Sequence, residues 1–383
     1  MFFLDSKFLA PIVVAIPVKD EVERIGSCLS ALSKQVGIDA RKVTIVLLLN
    51  NCSDGTAKLV NKLTPNLPMR VHRAEVTLPS ELANAGYARR LSMEAAEQLV
   101  EPHGILLTTD ADGQVDRNWI ALNLQALARG ADAVAGRVEI DPLDAALIPP
   151  KLHEDDAREC FYGELLDRIS AELDPDPFDR LPRHSEHSGA SIAVSVSAYR
   201  CAGRIPAIPM GEDRAFFAAL RRIDARIRHA PEVRVIVSGR TIGRAVGGMA
   251  DTIRRRLIKA DDTADDQFEP ALPAARRAQL RRLARIVWSN PVESEVDLLA
   301  KQLLISPSKV KRALATPYFG AAWSELESNS TMLAKRKVLI TDLDNQTKQA
   351  QMILDLYARC ARPIPARAQR SEKYARCKRI DAC

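Results

Sequence analysis

The chain has 383 residues, a formal net charge of +6 and 46% hydrophobic residues, enough for a large core and about two domains. Its seven cysteines include no Cys-x-x-Cys pair, so neither a disulfide framework nor a zinc ribbon is expected. The longest apolar runs, such as residues 43–49, are far shorter than the roughly 20 residues of a membrane-spanning helix. The first seven residues do not resemble a signal peptide. We therefore expect a cytoplasmic protein, either free or peripheral at the inner membrane surface.

Predicted strands and helices alternate along the N-terminal half. A β-branched run from residue 10 is followed by a predicted helix over 21–34, and a strand over 43–49 by a helix over 57–63. A further helix is predicted from residue 84 to about 100, before a buried strand over 105–107. This spacing predicts a parallel sheet of βαβ units, whose ligands bind at the carboxyl ends of the strands.

Acidic side chains follow the third of these strands. Asp110 and Asp112 come where the strand leaves the sheet, and a second pair, Glu212 and Asp213, opens a predicted helix over 214–222. Hard cations such as Mg²⁺ bind one or two carboxylates and take further ligands from water and substrate phosphates. Taken alone, either pair is more typical of a solvated loop or a helix N-cap. Together they predict a metal–diphosphate site with a separate carboxylate base.

Six segments between residues 11 and 256 occur in an order typical of one enzyme family. They are Ile16–Glu21, Asn50–Thr56, Gly86–Arg90, Thr109–Gly113, Ser188–Gly203 and Gly211–Asp213. In these segments the chain resembles the family-2 glycosyltransferases, whose nucleotide-sugar-binding fold is called GT-A. The resemblance implies an α/β fold with a GT-A-like, mostly parallel sheet flanked by helices, followed here by a C-terminal helical extension.

The resemblance also implies a reaction: inverting, metal-dependent transfer of a sugar from a nucleotide-sugar donor to an acceptor hydroxyl. It makes Asp112 a ligand of Mn²⁺ or Mg²⁺, with Asp110 contacting the ribose or the metal through water. Asp213 becomes the base, and Glu212 contacts the acceptor or fixes Asp213. Either Arg89 or Arg90 would add a cation near the phosphates. The implied nucleotide-sugar contacts are Pro17, Asp20, Glu21, Asn50, Asn51, Arg89 and Asp110.

The chain departs from the family pattern at several positions. Asn50 replaces the usual acid, and Lys19 replaces an aromatic residue, so a UDP-sugar donor is favoured by the family alone. No Q-x-x-R-W motif follows Asp213, which favours a non-processive enzyme acting on an acceptor in solution or at the membrane surface. The glycine-rich residues 243–248 are equally typical of a flap over the donor and of an ordinary loop.

The C-terminal part has a different character. Residues 261–266 read as an acidic linker, and helices are predicted over 273–288, 293–304, 308–315 and 321–359. Residues 357–383 hold eight Lys or Arg and two Asp or Glu, a surplus equal to the whole net charge. We divide the chain into a GT-A-like domain (1–260), a helical extension (261–356) and a basic tail (357–383). In some proteins such a basic tail binds anionic membranes or nucleic acid. More often it is simply a solvated chain end.

Other functions are less favoured by the sequence. Residues 299–314 resemble a DNA-binding helix-turn-helix, but Ser306 and Pro307 are as typical of an ordinary helical hairpin, and we do not expect a nucleic-acid partner. Nucleotidyl transfer on a similar fold would need a glycine-rich phosphate loop, which the N-terminus lacks. His184 and His187 lie in a polar loop and are more typical of surface residues or substrate contacts than of metal ligands.

Overall fold

The fold is built on one sheet of eight strands, seen in a computed structural model that describes residues 9–240, 243, 249–259 and 261–360. The strands are β1 (Ala10–Val18), β2 (Val43–Asn50), β3 (Arg70–Val76), β4 (Val100–Thr108), β5 (Gln114–Val115), β6 (Ala133–Ile140), β7 (Ile192–Ser195) and β8 (Ile227–Val237). Their order in the sheet is β3-β2-β1-β4-β7-β6-β8-β5. The first four are mutually parallel, β7 is antiparallel to both β4 and β6, and β6 is parallel to β8.

Helices cover the sheet and form most of the C-terminal part. They are α1 (Ile25–Ser33), α2 (Thr56–Leu63), α3 (Ala85–Glu97), α4 (Trp119–Ala128), α5 (Pro142–Ala145), α6 (Pro150–Leu173), α7 (Val196–Cys201), α8 (Glu212–Arg222), α9 (Met249–Ile258), α10 (Ala271–Ser289), α11 (Glu293–Leu303), α12 (Pro307–Leu314), α13 (Phe319–Asn329) and α14 (Leu343–Cys360). Within the described ranges, none of these helices has the length and apolar character needed to span a bilayer.

Two hydrophobic cores lie on opposite faces of the sheet. Alternate residues of β1 point to each face: Val14 and Ile16 pack with α1, α2 and α4, whereas Val13 and Ala15 pack with α3, α7 and α8. All eight residues of β2 are buried, as expected for a parallel strand covered on both faces. The predicted α/β class and mostly parallel sheet are confirmed.

Several predicted boundaries were wrong. The first helix begins at Ile25, not at residue 21, because the Glu21 amide donates to the Thr56 hydroxyl instead of opening the helix. The helix predicted to reach residue 100 ends at Glu97, and Val100 opens β4. The antiparallel β7 was not predicted, because its four residues make too short a run to show a direction.

The long helix predicted over 321–359 is also wrong. Helix α13 ends at Asn329, short 3₁₀ turns follow at Thr331–Leu333 and Ile340–Asp342, and α14 begins only at Leu343. The Ser330 hydroxyl donates to the Leu303 carbonyl, and Leu339 forms an isolated bridge with Thr263. These tertiary contacts hold the intervening residues in an extended path.

The C-terminal helices pack on the sheet domain. Helices α10 to α13 share one core, and a second cluster joins α10 and α14 to α6. In the predicted acidic linker, Ala264 is buried and its amide donates to the Val338 carbonyl. The three-part domain division stays a prediction. Of the predicted flap, residue 243 alone is described, and the basic tail beyond residue 360 lies outside the described residues.

The segment that resembles a helix-turn-helix consists of α11 and α12. Leu304 joins them in the left-handed conformation, with φ of 54°, at the position where helices usually place glycine. The Ser306 hydroxyl accepts from the Lys309 amide, as expected for the cap of α12. Two cations of α12 are already paired within the protein, Lys311 with Glu293 and Arg312 with Glu325.

A glycine sets the contact between α13 and α8. A β-carbon at Gly320 would overlap the backbone carbonyl of Arg221. Beside it, the Asp224 carboxylate accepts from the amides of Phe319 (2.6 Å) and Gly320 (2.7 Å), which caps the start of α13. The close approach therefore depends on glycine at this position.

We predict that Gly320→Ala destabilises the protein by about 1–3 kcal/mol, because α13 must move away from α8. Helix propensity alone would give the opposite sign. Gly26→Ala is the matched control: Gly26 also lies in a helix, but a β-carbon there meets only Leu63 at 3.8 Å, so stabilisation of about 0.5–1 kcal/mol is expected. Denaturant unfolding of both variants measures the difference, and equal effects would contradict this account.

Candidate functional site

A buried arginine lies at the centre of the site. The side chain of Arg89 is 6% exposed. Its Nε donates to Glu212 Oε1 (2.9 Å) and its Nη2 to Asp110 Oδ1 (2.6 Å). Its Nη1 donates to Thr108 Oγ1 (3.1 Å) and to the Gly189 carbonyl (2.8 Å). Burial alone would lower the pKa of Arg89, but the charges of Asp110 and Glu212 raise it above its ordinary value, so the guanidinium is a permanent cation.

Local structure explains how the arginine reaches these groups. Asn84 caps α3, accepting from the Tyr87 amide at 2.9 Å, so Arg89 lies just over one turn into the helix. Long helical side chains point back toward the N-terminus, here toward the carboxyl end of β4. A β-carbon at Gly189 would overlap the guanidinium, so this loop needs glycine to pass over it.

Three carboxylates lie together at the ends of β1 and β4. Glu21 is buried, and the side chain of Asp112 is only 14% exposed. Arg240, just after β8, donates to both Glu21 oxygens (2.8 and 2.5 Å) and lies 3.4 Å from Asp112 Oδ2. Burial and the charge of Asp110, opposed by Arg240, raise the pKa of Asp112 well above its usual range. The site therefore holds more negative charge than its own cations balance.

The donor set fits a hard divalent cation. Asp110 and Asp112 offer carboxylate oxygens at a strand end, and a cleft of about 330 Å³ opens beside Asp112. Nowhere in the described ranges do three or more His, Cys, Asp or Glu side chains converge as a complete metal cage. Mg²⁺ commonly binds through one or two carboxylates plus substrate phosphates, so two carboxylates can suffice as its protein ligands.

The second acidic pair faces the same region from the other side. Gly211, in a left-handed conformation, precedes α8 and places Glu212 and Asp213 in its first turn, where acidic groups are favoured by the helix dipole. The Gly189 amide donates to Asp213 Oδ2 at 3.1 Å. Glu212 is buried and paired with Arg89. Asp213 is only half-buried, and its carboxylate is the one nearer to solvent.

The other predicted donor contacts lie at the ends of β1 and β2. Pro17 is in β1 beside Leu48, and Asn50 ends β2. The Asp20 carboxylate accepts from the Ser53 amide at 2.7 Å. Asn51 exchanges two hydrogen bonds with the backbone of Leu78 (2.8 and 3.0 Å). Asp20 and Asn51 both have φ of 50°, a conformation that Asp and Asn tolerate better than most residues. These two side chains shape the loops of this edge.

Arg90 is directed elsewhere. It donates to Glu94 and to the Ile205 carbonyl, away from the groups that Arg89 joins. Of the two arginines, Arg89 therefore contacts the acidic groups of the site, through hydrogen bonds to protein groups. A role of either arginine near the phosphates stays a prediction.

The two loop histidines belong to a cluster behind Gly189. His187 Nε2 lies 3.1 Å from His229 Nε2, and His229 Nδ1 lies 2.8 Å from Asp179. Arg221 approaches His187 at 2.9 Å. His184 is buried, and burial lowers its pKa to about 4. The cluster supports the Ser188–Gly189 loop that contacts Arg89 and Asp213.

The sequence motifs do not include Arg240, and they give Gly189 no role of its own. Arg240 follows β8 in a Ser-Gly-Arg segment that has no distinguishing pattern, and only the fold brings it to Glu21. Gly189 was part of a recognised segment, and its hydrogen bonds to both Arg89 and Asp213 depend on the antiparallel strand that follows it.

We expect Arg89→Ala to destabilise the protein by about 3–5 kcal/mol, because it leaves Asp110 and Glu212 as uncompensated charges. Arg90→Ala is the matched control in the same helix. Its half-exposed pair with Glu94 should contribute less than about 1 kcal/mol. Thermal and denaturant unfolding measure both effects. A loss below about 1 kcal/mol for Arg89→Ala would show that the buried network is not needed for folding.

Protonation of His184 should link stability to pH. Its pKa of about 4 in the folded protein lies below its ordinary value of 6.5, so between these pH values His184 binds a proton in the unfolded chain but not in the folded protein. The free energy of unfolding then falls as pH decreases, by at most about 1.4 kcal/mol per pH unit. Asp167, whose pKa burial raises to about 6, acts in the opposite direction.

Comparison with His184→Asn isolates the histidine, since asparagine keeps an acceptor for the Glu186 amide that now donates to His184 Nδ1. The variant should lose less stability than the parent between pH 6.5 and 4. Identical slopes in chemical denaturation at each pH would contradict the assignment.

Comparison with known proteins adds the following. Residues 13–179 match the model of Glycosyl transferase family 2. No curated protein matches the sequence. Among solved structures, the chain is similar to the mannosyltransferase PcManGT from Pyrobaculum calidifontis in complex with GDP-Man and Mn²⁺, at 16% identity and a TM-score of 0.46, covering 94% of this chain and 83% of that one. It is also similar to S. aureus TarS 1-349 in complex with UDP-GlcNAc, at 15% identity and a TM-score of 0.44, covering 91% and 92%.

Structural likenesses of this degree carry no residue role to this chain, whereas the family match rests on the sequence itself. It spans β1 and β2, which hold Pro17 and Asn50, and β4, which ends two residues before Asp110; it ends before α8. In sequence, residues 13–179 therefore resemble glycosyl transferase family 2.

Proposed function

We propose that the protein is an inverting, metal-dependent glycosyltransferase that moves a sugar from a nucleoside-diphosphate donor to an acceptor hydroxyl. The observation that carries the proposal is the pair of ion pairs made by Arg89. They hold Asp110, on the strand of the matched family domain, and Glu212, beside Asp213, on one guanidinium. A diphosphate-side acid and a half-buried base are thereby fixed on two sides of one centre.

On the donor side, Asp112 and Asp110 would hold Mn²⁺ or Mg²⁺. Such a cation, when bound, neutralises charge on the departing diphosphate. Pro17, Asn50 and the loops shaped by Asp20 and Asn51 lie at the adjacent strand ends, where parallel α/β sheets bind nucleotides. The proposal assigns the nucleobase and ribose to these residues together with Glu21.

On the acceptor side, Asp213 would take the proton of the attacking hydroxyl. That oxygen forms a bond to the anomeric carbon while the bond from this carbon to the diphosphate oxygen breaks, and its electron pair leaves with the diphosphate. The Gly189 amide donates to Asp213 Oδ2 and so fixes the position of this carboxylate. A base of this kind contributes about 10²–10⁴-fold in rate.

Which nucleobase and which sugar the donor carries is decided by contacts from the loops rather than by these carboxylates. UDP-sugars are the first candidates and GDP-sugars the second. A thermal-shift panel of UDP-, GDP- and dTDP-sugars, each with and without Mn²⁺, identifies the donor class before any variant is made.

Two variants separate binding from chemistry. Asp112→Ala should abolish Mn²⁺-dependent donor binding in calorimetry. Asp213→Asn should bind metal and donor nearly as the parent does while turnover falls by about 10²-fold or more, because the base acts only in the transition state. Asp116→Asn is the matched control, since Asp116 is exposed and asparagine can still accept from the Asn118 amide.

Undiminished metal-dependent binding in Asp112→Ala would remove the metal assignment. Full turnover in Asp213→Asn would remove the base assignment and make Glu212, or a retaining route, the next hypothesis. The anomeric configuration of the product, read by NMR before it equilibrates, tests inversion directly.

A further inference from the structure

Arg240 lies where a cation is expected in the acidic site. Its two terminal nitrogens donate to the two oxygens of Glu21 (2.8 and 2.5 Å), and Nη2 also lies 3.4 Å from Asp112 Oδ2. The side chain is 23% exposed, so solvent screens these contacts only in part. One guanidinium therefore spans the carboxylate proposed to bind the metal and its buried neighbour.

The Asp144 carboxylate anchors the backbone that carries Arg240. Asp144 accepts from the Gly239 amide (2.8 Å) and from the Ser238 hydroxyl (3.2 Å). The same carboxylate pairs with Arg24 at 2.9 Å. The strand end is thus fixed up to the residue before Arg240, and the arginine side chain reaches the acidic site from a defined position.

We propose that Arg240 is the counter-cation of the donor-free site and competes with the divalent metal for Asp112. The inference rests on the proposed function. An arginine remains charged at any physiological pH, and two cations beside the same carboxylates repel each other. A metal entering alone must displace the guanidinium from Asp112 without gaining new anionic ligands.

When the metal enters together with a nucleoside diphosphate, the balance of charges in the site is different. The diphosphate supplies further negative oxygens both for the metal and for the displaced guanidinium. Metal and nucleotide should then bind cooperatively, and by linkage each raises the affinity of the other by the same factor. Arg240 would in this way keep the site from holding a metal ion without its donor.

A purely structural role for Arg240 predicts a different outcome. If it only neutralises Glu21, its removal disorders the acidic site and weakens metal binding. If it competes with the metal, its removal strengthens the binding of metal alone. The sign of one affinity change separates the two explanations.

The test measures Mn²⁺ affinity by electron paramagnetic resonance of the free ion, with and without UDP and GDP. The wild type should bind Mn²⁺ weakly alone and at least about tenfold more tightly with the nucleotide that it accepts. In Arg240→Gln, binding of Mn²⁺ alone should tighten at least about tenfold. The gain in Mn²⁺ affinity that the nucleotide causes should then be smaller by the same factor. Arg240→Lys keeps the charge and should stay near the wild type.

Arg234→Gln is the matched control. It removes the same charge from β8 at a residue whose nearest carboxylate is Glu139, 3.9 Å away, and it should change Mn²⁺ affinity by less than about twofold. A thermal melt of each variant confirms folding. If Arg240→Gln does not fold, the wild type still decides, since equal Mn²⁺ affinity with and without nucleotide overturns the proposal.

The failures are distinguishable. If the wild type binds no Mn²⁺ with any nucleoside diphosphate, the proposed function fails. If it binds Mn²⁺ with nucleotide but Arg240→Gln binds Mn²⁺ alone as weakly as the wild type or more weakly, the competition by Arg240 fails and the glycosyltransferase proposal stands.

Discussion

The site depends on one buried cation. Arg89 is nearly inaccessible to water, so its charge must be balanced by protein groups, and the fold provides carboxylates from two distant segments. Asp110 comes from the end of β4 and Glu212 from the start of α8. Removing either one would leave the guanidinium under-compensated in a place where hydration cannot replace it. The two ion pairs therefore hold the end of β4 and the start of α8 at a fixed distance from each other.

The change of strand direction in the sheet brings the two halves of the site together. The four parallel strands from β3 to β4 place the residues proposed to bind the donor along one edge, and the antiparallel β7 then brings the Ser188–Gly189 loop to the same edge. Gly189 gives its carbonyl to Arg89 and its amide to Asp213. A single peptide segment thus connects the cation that orders the site with the carboxylate proposed to act as its base.

The C-terminal helices stabilise α8 at the end opposite to its acidic pair. Gly320 allows α13 to approach the end of α8, and Asp224, which follows α8, caps α13. Helix α10 also packs on α6 in the hydrophobic cluster that includes α14. Because α8 carries Glu212 and Asp213 at its other end, this packing limits how far the acidic pair can move relative to Asp110. The helical extension is therefore part of the structure that positions the site.

The sequence alone determined the α/β class, the strand ends that carry Asn50, Asp110 and Asp112, and the resemblance to the family later matched over residues 13–179. These features are local, since they follow from apolar periodicity and from short motifs at strand ends. Tertiary structure decided the antiparallel β7, the interruption between α13 and α14, and the partners of Arg89 and Arg240. These features depend on charges and backbones that are distant in the sequence; Arg89 and Glu212 are 123 residues apart, and Arg240 and Glu21 are 219 residues apart. No local pattern encodes such pairings, because the cost of burying each charge is set only by what the folded chain places beside it.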